Sequence, residues 1–121
     1  MVDIITYETL FEILQKEKLR MELQKLNSNF HENFTKYLEE KTSILNSQRS
    51  KDTIFSLEIQ KTERQLENIK RIMKELYDRR ERKVIEAALF YSRNPKKNLD
   101  LEQAMLSEEK DLFNRLTNNL K

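Results

Sequence analysis

Few residues in this 121-residue chain could carry chemistry. His31 is the only histidine and there is no cysteine, which excludes a zinc site of the usual nitrogen and sulfur type and any disulfide framework. His31 stands in the first turn of a polar helical stretch with no orienting partner in view, and reads as a surface residue rather than an acid-base or metal group. Adjacent carboxylates occur at Glu39 with Glu40 and at Glu108 with Glu109. Helical neighbours point about 100° apart, so neither pair forms an acid-base dyad by itself. Helical di-metal proteins gather carboxylates from several helices, but they use a Glu-x-x-His motif that is absent here. The chain also contains no glycine, which removes the Gly-rich loops that let a backbone approach a phosphate closely. The sequence therefore implies no catalytic residue, no metal ligand and no cofactor.

The remaining chemical signal is cationic. Net charge is only +2, yet the stretch from Lys70 to Lys97 holds ten Lys or Arg against four Asp or Glu, leaving an acidic excess elsewhere. Arg79, Arg82, Lys83 and Arg93 are candidates for contact with an acidic partner or with nucleic acid, with Tyr77 and Tyr91 near enough to stack on bases. An acidic protein surface or a plainly solvated helix face fits this asymmetry better than nucleic acid does. Both tyrosines fall on an apolar stripe, and no helix-turn-helix with a glycine turn can be traced.

Long helices must position these groups. Ala, Glu, Lys, Leu and Arg make up 59 of the 121 residues, the composition of helical bundles and coiled coils. Leu, Ile, Val and Phe supply 34, enough for a folded core. The expectation is an all-α domain over residues 1–121, with four to five helices. No apolar run approaches the ~20 residues needed to span a bilayer, and the N-terminus has no basic region before an apolar stretch. The sequence thus reads as a soluble, cytoplasmic protein without a membrane partner.

Periodicity places a first helix from near Thr6 to about Lys25, with Tyr7, Leu10, Phe11, Leu14 and Met21 on one stripe. Asn27 is the natural left-handed C-terminal residue, and Ser28 or Asn29 the next N-cap. A second helix carries Phe30, Phe34, Tyr37, Leu38 and Leu45 and ends in the polar stretch from Asn46 to Lys51. From Asp52 or Thr53 as cap to Arg93 nothing breaks a helix until Asn94 and Pro95 stop it. A rod of that length exceeds a compact domain of this size, so either it bends or part of it projects, and a projecting part would carry an apolar stripe that the chain alone cannot cover. A short helix and then a longer one starting at Ser107 close the chain.

The stripe of the long helix contains Leu66, Ile69, Met73, Leu76, Tyr77, Arg80, Val84, Ala87, Ala88 and Tyr91. Arg80 is out of place there, and its guanidinium requires a specific buried or interfacial partner. On another face Glu63, Glu67, Arg71, Glu75, Arg79 and Lys83 follow at i+4, with Glu67–Arg71 and Glu75–Arg79 as acid-before-base pairs. That strip reads as solvated.

With these residues in view, the chain resembles the helical domain of GINS, the replication factor of archaea and eukaryotes. The resemblance is carried by Glu22-Leu23-Gln24-Lys25-Leu26 leading into Asn29-Phe30-His31-Glu32 and Tyr37-Leu38. It continues from Glu63 to Ala88, with Tyr77, then Arg80, then Lys83-Val84-Ile85-Glu86, and through Leu106-Ser107-Glu108-Glu109-Lys110-Asp111-Leu112-Phe113. It is similar to the archaeal subunit whose helical domain comes first. Such subunits continue into a small β domain, and no strand-like segment is found before Lys121. The resemblance implies a non-catalytic scaffold: a hetero-tetramer with a second GINS subunit, joined to the MCM helicase and a RecJ-like protein at the replication fork. Leu66, Ile69, Met73, Leu76, Tyr77 and Val84 would then be core or subunit interface, with Arg80 as polar anchor. Two alternatives stand beside it. One is a self-contained helical protein that binds nucleic acid through Arg79 to Lys83. The other is a coiled-coil interaction module, disfavoured because the stripe drifts with a 3.6 period rather than holding a heptad.

Overall fold

The computed structural model describes residues 4–51, 56–96 and 98–120. Among these the chain is all-α, with helices α1 (Tyr7–Leu19), α2 (Phe30–Ser50), α3 (Ser56–Arg93), α4 (Leu99–Ala104) and α5 (Ser107–Leu120). The expected caps at Asp52 or Thr53 lie outside the described residues.

Thr6 starts α1 through a capping box: its hydroxyl accepts from the Thr9 N–H at 3.1 Å, and the Thr9 hydroxyl accepts from the Thr6 N–H at 2.7 Å. Two of the helix's orphan donors are thereby satisfied. The helix does not run to Lys25. It ends at Leu19 and is left through Arg20 in extended backbone (φ −96°, ψ 145°), with no role for Asn27 at its C-terminus. Asn27 instead shapes the next turn, its side-chain oxygen accepting from the Asn29 N–H and its carbonyl from the Phe30 N–H. Asn29 is the N-cap of α2. The second helix ends at Ser50, within the polar stretch where its end was expected.

At 38 residues, α3 is about 57 Å long at the usual rise, and every other long helix packs on it. Arg49 pairs with Glu63 near one end of α2 and His31 meets Tyr77 near the other, so α2 and α3 form an antiparallel hairpin. Glu109 meets Arg80 while Phe113 packs edge-on to Tyr91, so α5 runs in the same direction as α3. The connection through α4 is the return stroke that makes this direction possible. It ends in Ala104, Met105 and Leu106, all buried.

One core results. Leu10 and Leu14 of α1, Phe30, Phe34 and Tyr37 of α2, and Ile69, Ile72, Met73 and Leu76 of α3 form it, closed by Leu106. Two expectations fail here. Met21 is 94% exposed and Phe11 is also exposed, because the early end of α1 takes Met21 off the stripe. The stripe of α3 is buried or half-buried from Leu66 to Tyr91, because α5 runs along its second half and covers it. The exposed apolar residues of α3 are Leu57, Ile85, Leu89 and Phe90 instead.

The Tyr37 hydroxyl is buried with no hydrogen-bond partner among the described residues. Burial, with Tyr7 beside it, raises its pKa. An unmet buried hydroxyl costs about 1–3 kcal/mol, so Tyr37→Phe is expected to leave stability unchanged or raise it by up to about 1 kcal/mol in urea unfolding. Leu76→Ala, at a fully buried core position, is expected to cost about 2–5 kcal/mol. A loss with Tyr37→Phe comparable to that of Leu76→Ala would mean the hydroxyl has a partner.

Candidate functional site

Arg80 is the largest fully buried side chain, at 0% exposure. A guanidinium has five N–H donors in a planar fork, and here each one finds an acceptor. The Nε–H and one Nη2–H donate to Glu109 Oε2 and Oε1 at 2.9 and 2.8 Å, a bidentate pair. The other Nη2–H donates to the Ala104 carbonyl at 2.9 Å. Nη1 donates to Glu17 Oε1 at 2.8 Å and to the Gln24 carbonyl at 2.6 Å.

The acceptors come from helix ends and from the α1–α2 connection. Ala104 is the last residue of α4, and its carbonyl is one of the orphans of a helix C-terminus, where a cation also meets the helix dipole favourably. Glu109 is the third residue of α5, and its Oε1 also accepts from the Leu106 N–H at 2.8 Å. That is the return half of a capping box. Glu17 lies in the last turn of α1, wholly buried. Its Oε2 accepts from the Gln24 N–H at 3.1 Å and from Lys83 Nζ at 2.6 Å. Lys83 Nζ also donates to the Glu17 carbonyl at 2.7 Å and the Glu22 carbonyl at 3.1 Å, capping α1 from outside. The Gln24 side-chain amide donates to the Ile13 carbonyl at 3.0 Å. Two cations and two carboxylates thus balance in charge.

Burial by itself would raise the Glu17 carboxyl, but hydrogen bonds from Lys83, Arg80 and the Gln24 N–H outweigh it and hold the group below its ordinary value of 4.5. Burial would likewise lower Arg80, and Glu109 and Glu17 more than compensate. Both groups are therefore ionised. The arrangement neutralises its charges and matches donors to acceptors. Among the described residues no group of His, Cys, Asp and Glu could hold a metal ion, and no helix is long and apolar enough to cross a membrane.

The sequence-predicted residues divide clearly. Leu66, Ile69, Met73, Leu76 and Val84 are buried within the chain and Tyr77 is half-buried. Arg80 meets acceptors of its own chain. Arg79 pairs with Glu75 at 3.4 Å, as expected, and Glu75 also takes Lys18 at 3.0 Å. Arg71, of the expected Glu67–Arg71 pair, donates to Asn68. Lys83 departs from the solvated strip, because the buried Glu17 carboxylate and the end of α1 draw its ammonium inward. Arg82 and Arg93 are exposed. His31 is exposed, with Nδ1 3.1 Å from the Tyr77 hydroxyl.

Glu17 and Glu109 are the residues sequence reasoning missed. Glu17 continues the spacing of Leu10 and Leu14, a carboxylate set in an apolar stripe just as Arg80 is in another, and that shared misplacement is the signal that pairs them. The Gln24 carbonyl has no sequence signal. Comparison of the chain with protein-family models, with curated proteins and with solved structures finds no match.

Removing one partner of a buried ion pair typically costs about 3–5 kcal/mol. Arg80→Ala is expected to lose that much, while Arg79→Ala, in a largely exposed pair, stays within about 1 kcal/mol. Equal losses in urea unfolding would sink the assignment. The depressed Glu17 value adds a pH signature. The unfolded chain takes up this proton first, so the group's contribution is complete above about pH 4.5 and is lost as pH falls through the lower folded value. Glu17→Gln should be less stable near neutral pH and should flatten the acid limb of the stability curve. An acid limb as steep as that of the wild type would show that Glu17 is not the group responsible.

Proposed function

We propose that this chain is a non-catalytic assembly subunit of GINS type, joining a second helical subunit in a hetero-tetramer that scaffolds the MCM helicase with a RecJ-like partner. The resemblance in sequence suggests the family. The observation that carries the reading is a cleft of about 760 Å³ where the end of α3 meets α4 and α5, of mixed polar and apolar lining, into which Phe90, Tyr91, Leu99, Leu101 and Phe113 are gathered. Phe90 is 68% and Leu99 60% exposed there, and Leu89 is exposed beside them. Large apolar side chains gathered in a cleft are what a partner helix covers. Covering one such side chain fully contributes roughly 1.5–3 kcal/mol. Asn94, Asn98, Asp100 and Asn118 surround the cleft and supply the polar rim of a subunit interface.

This reading moves the partner surface from the stripe to the cleft. Leu66, Ile69, Met73, Leu76 and Val84 hold the domain together, and the Arg80 network fixes the helices on which the cleft is built. Direct nucleic-acid contact is the weaker reading, because Lys83 is engaged and Arg79 is paired, leaving Arg82 and Arg93.

Light scattering of the chain alone and co-expressed with a second GINS-type subunit from the same genome tests the proposal. The expected product holds two copies of each, and Phe90→Asp should abolish it while leaving the thermal melt of the single chain unchanged. A monomer indifferent to that subunit overturns the reading. Oligonucleotide binding that falls steeply between low and moderate salt would favour the nucleic-acid alternative.

A further inference from the structure

We propose that the groove between the end of α1 and α3 docks an acidic peptide segment bearing an apolar side chain, a site separate from the cleft at the end of α3. Its volume is about 200 Å³, smaller than the roughly 300–1,000 Å³ of small-molecule sites and suited to one or two side chains. Arg20, Met21, Arg79 and Arg82 line it, with Glu86 among them.

Charge gives the sign of the occupant. Lys18 and Arg79 share the single carboxylate of Glu75. Lys83 is turned inward to Glu17. Arg20 and Arg82 are exposed, with no ion pair among the described residues. Two guanidinium groups therefore stand ready at one groove, and their planar forks match carboxylates bidentately.

Apolar exposure gives the rest. Met21, in the groove lining, is 94% exposed, and Leu19, two residues before it and outside the lining, is 83% exposed, and a methionine on a surface adapts to varied apolar partners. Their backbone is held in place by the Lys83 bonds to the Glu17 and Glu22 carbonyls, which lowers the ordering cost of binding. A nucleic acid fits less well: Glu86 interrupts the cations, and a phosphate backbone has no use for the exposed apolar pair. Acidic side chains flanking a leucine or phenylalanine satisfy both features.

Fluorescence anisotropy with the full chain tests this, using a labelled peptide of repeated Glu-Glu-Leu, the same peptide with Ser for Leu, and oligothymidylate. The Glu-Glu-Leu peptide is expected to bind, and the double variant Arg20→Glu/Arg82→Glu to weaken it by about tenfold or more. Met21→Ser should weaken it by a smaller factor, whereas Arg93→Glu, outside the groove, should leave it unchanged. All these positions are exposed, so unchanged thermal melts are the check on folding. Absence of peptide binding, equal binding by the double variant, equal binding of the Ser peptide, or tighter binding of oligothymidylate each overturns the proposal. Phe90→Asp should not affect the peptide, so failure here and failure of the subunit reading are told apart.

Discussion

A single guanidinium sets the tertiary arrangement of this protein. Arg80 sits on the apolar face of the one helix against which every other long helix packs, and five donors in a rigid fork can be met by few arrangements of surrounding chain. Carboxylates from α1 and α5 and carbonyls from α4 and the α1–α2 connection meet all five. An arginine left unmet at this depth would cost several kcal/mol. The chain ends are thus selected together, because each supplies an acceptor that the others cannot.

This requirement explains the path that helix propensity does not. Residues 20–25 are good helix formers, free of proline and glycine, and compatible with continuing α1. They turn back instead, since a continued helix would hide its carbonyls in its own ladder and leave Arg80 and Lys83 without the Gln24 and Glu22 oxygens. The Gln24 N–H, released from any ladder, is met by Glu17. Propensity differences among such residues amount to a few tenths of a kcal/mol each, against a buried charge that needs its acceptors.

What the sequence made legible was set by periodicity. The stripe from Leu66 to Tyr91, the end of α3 before Asn94 and Pro95, and the start of α5 at Ser107 all follow from local rules of spacing, proline geometry and first-turn acids. The anomaly of Arg80 was also visible, as a charge in register with apolar neighbours. Its partners were less so. Glu17 could be reached only by noticing the same anomaly on another helix, and Ala104 and Gln24 act through backbone carbonyls that carry no residue signature. The direction of α5 was hidden for a related reason. Length alone suggested that the long helix bends or that part of it projects, whereas the turn at α4 allows α5 to run along its second half.

A buried ion network is weak evidence for stability, since well-packed apolar residues of similar volume often do as well or better. Its value here lies in position. Apolar contacts between α5 and α3 are tolerant of sliding, because Leu, Phe and Tyr side chains on neighbouring turns present similar surfaces. The bidentate Glu109 pair is not tolerant, since a shift of one helical turn, about 5.4 Å, would break both bonds and uncover a buried charge. Fixing α5 along α3 fixes the cleft around Phe90 and Phe113, and fixing Glu17 fixes the Arg20–Met21 turn that borders the basic groove. The cleft and the groove proposed as docking surfaces are therefore both tied to the same side chain, one through Glu109 and the other through Glu17. In a helical protein without glycine or cysteine to pin its loops, that is a physical reason to place an arginine where an apolar residue would pack more cheaply.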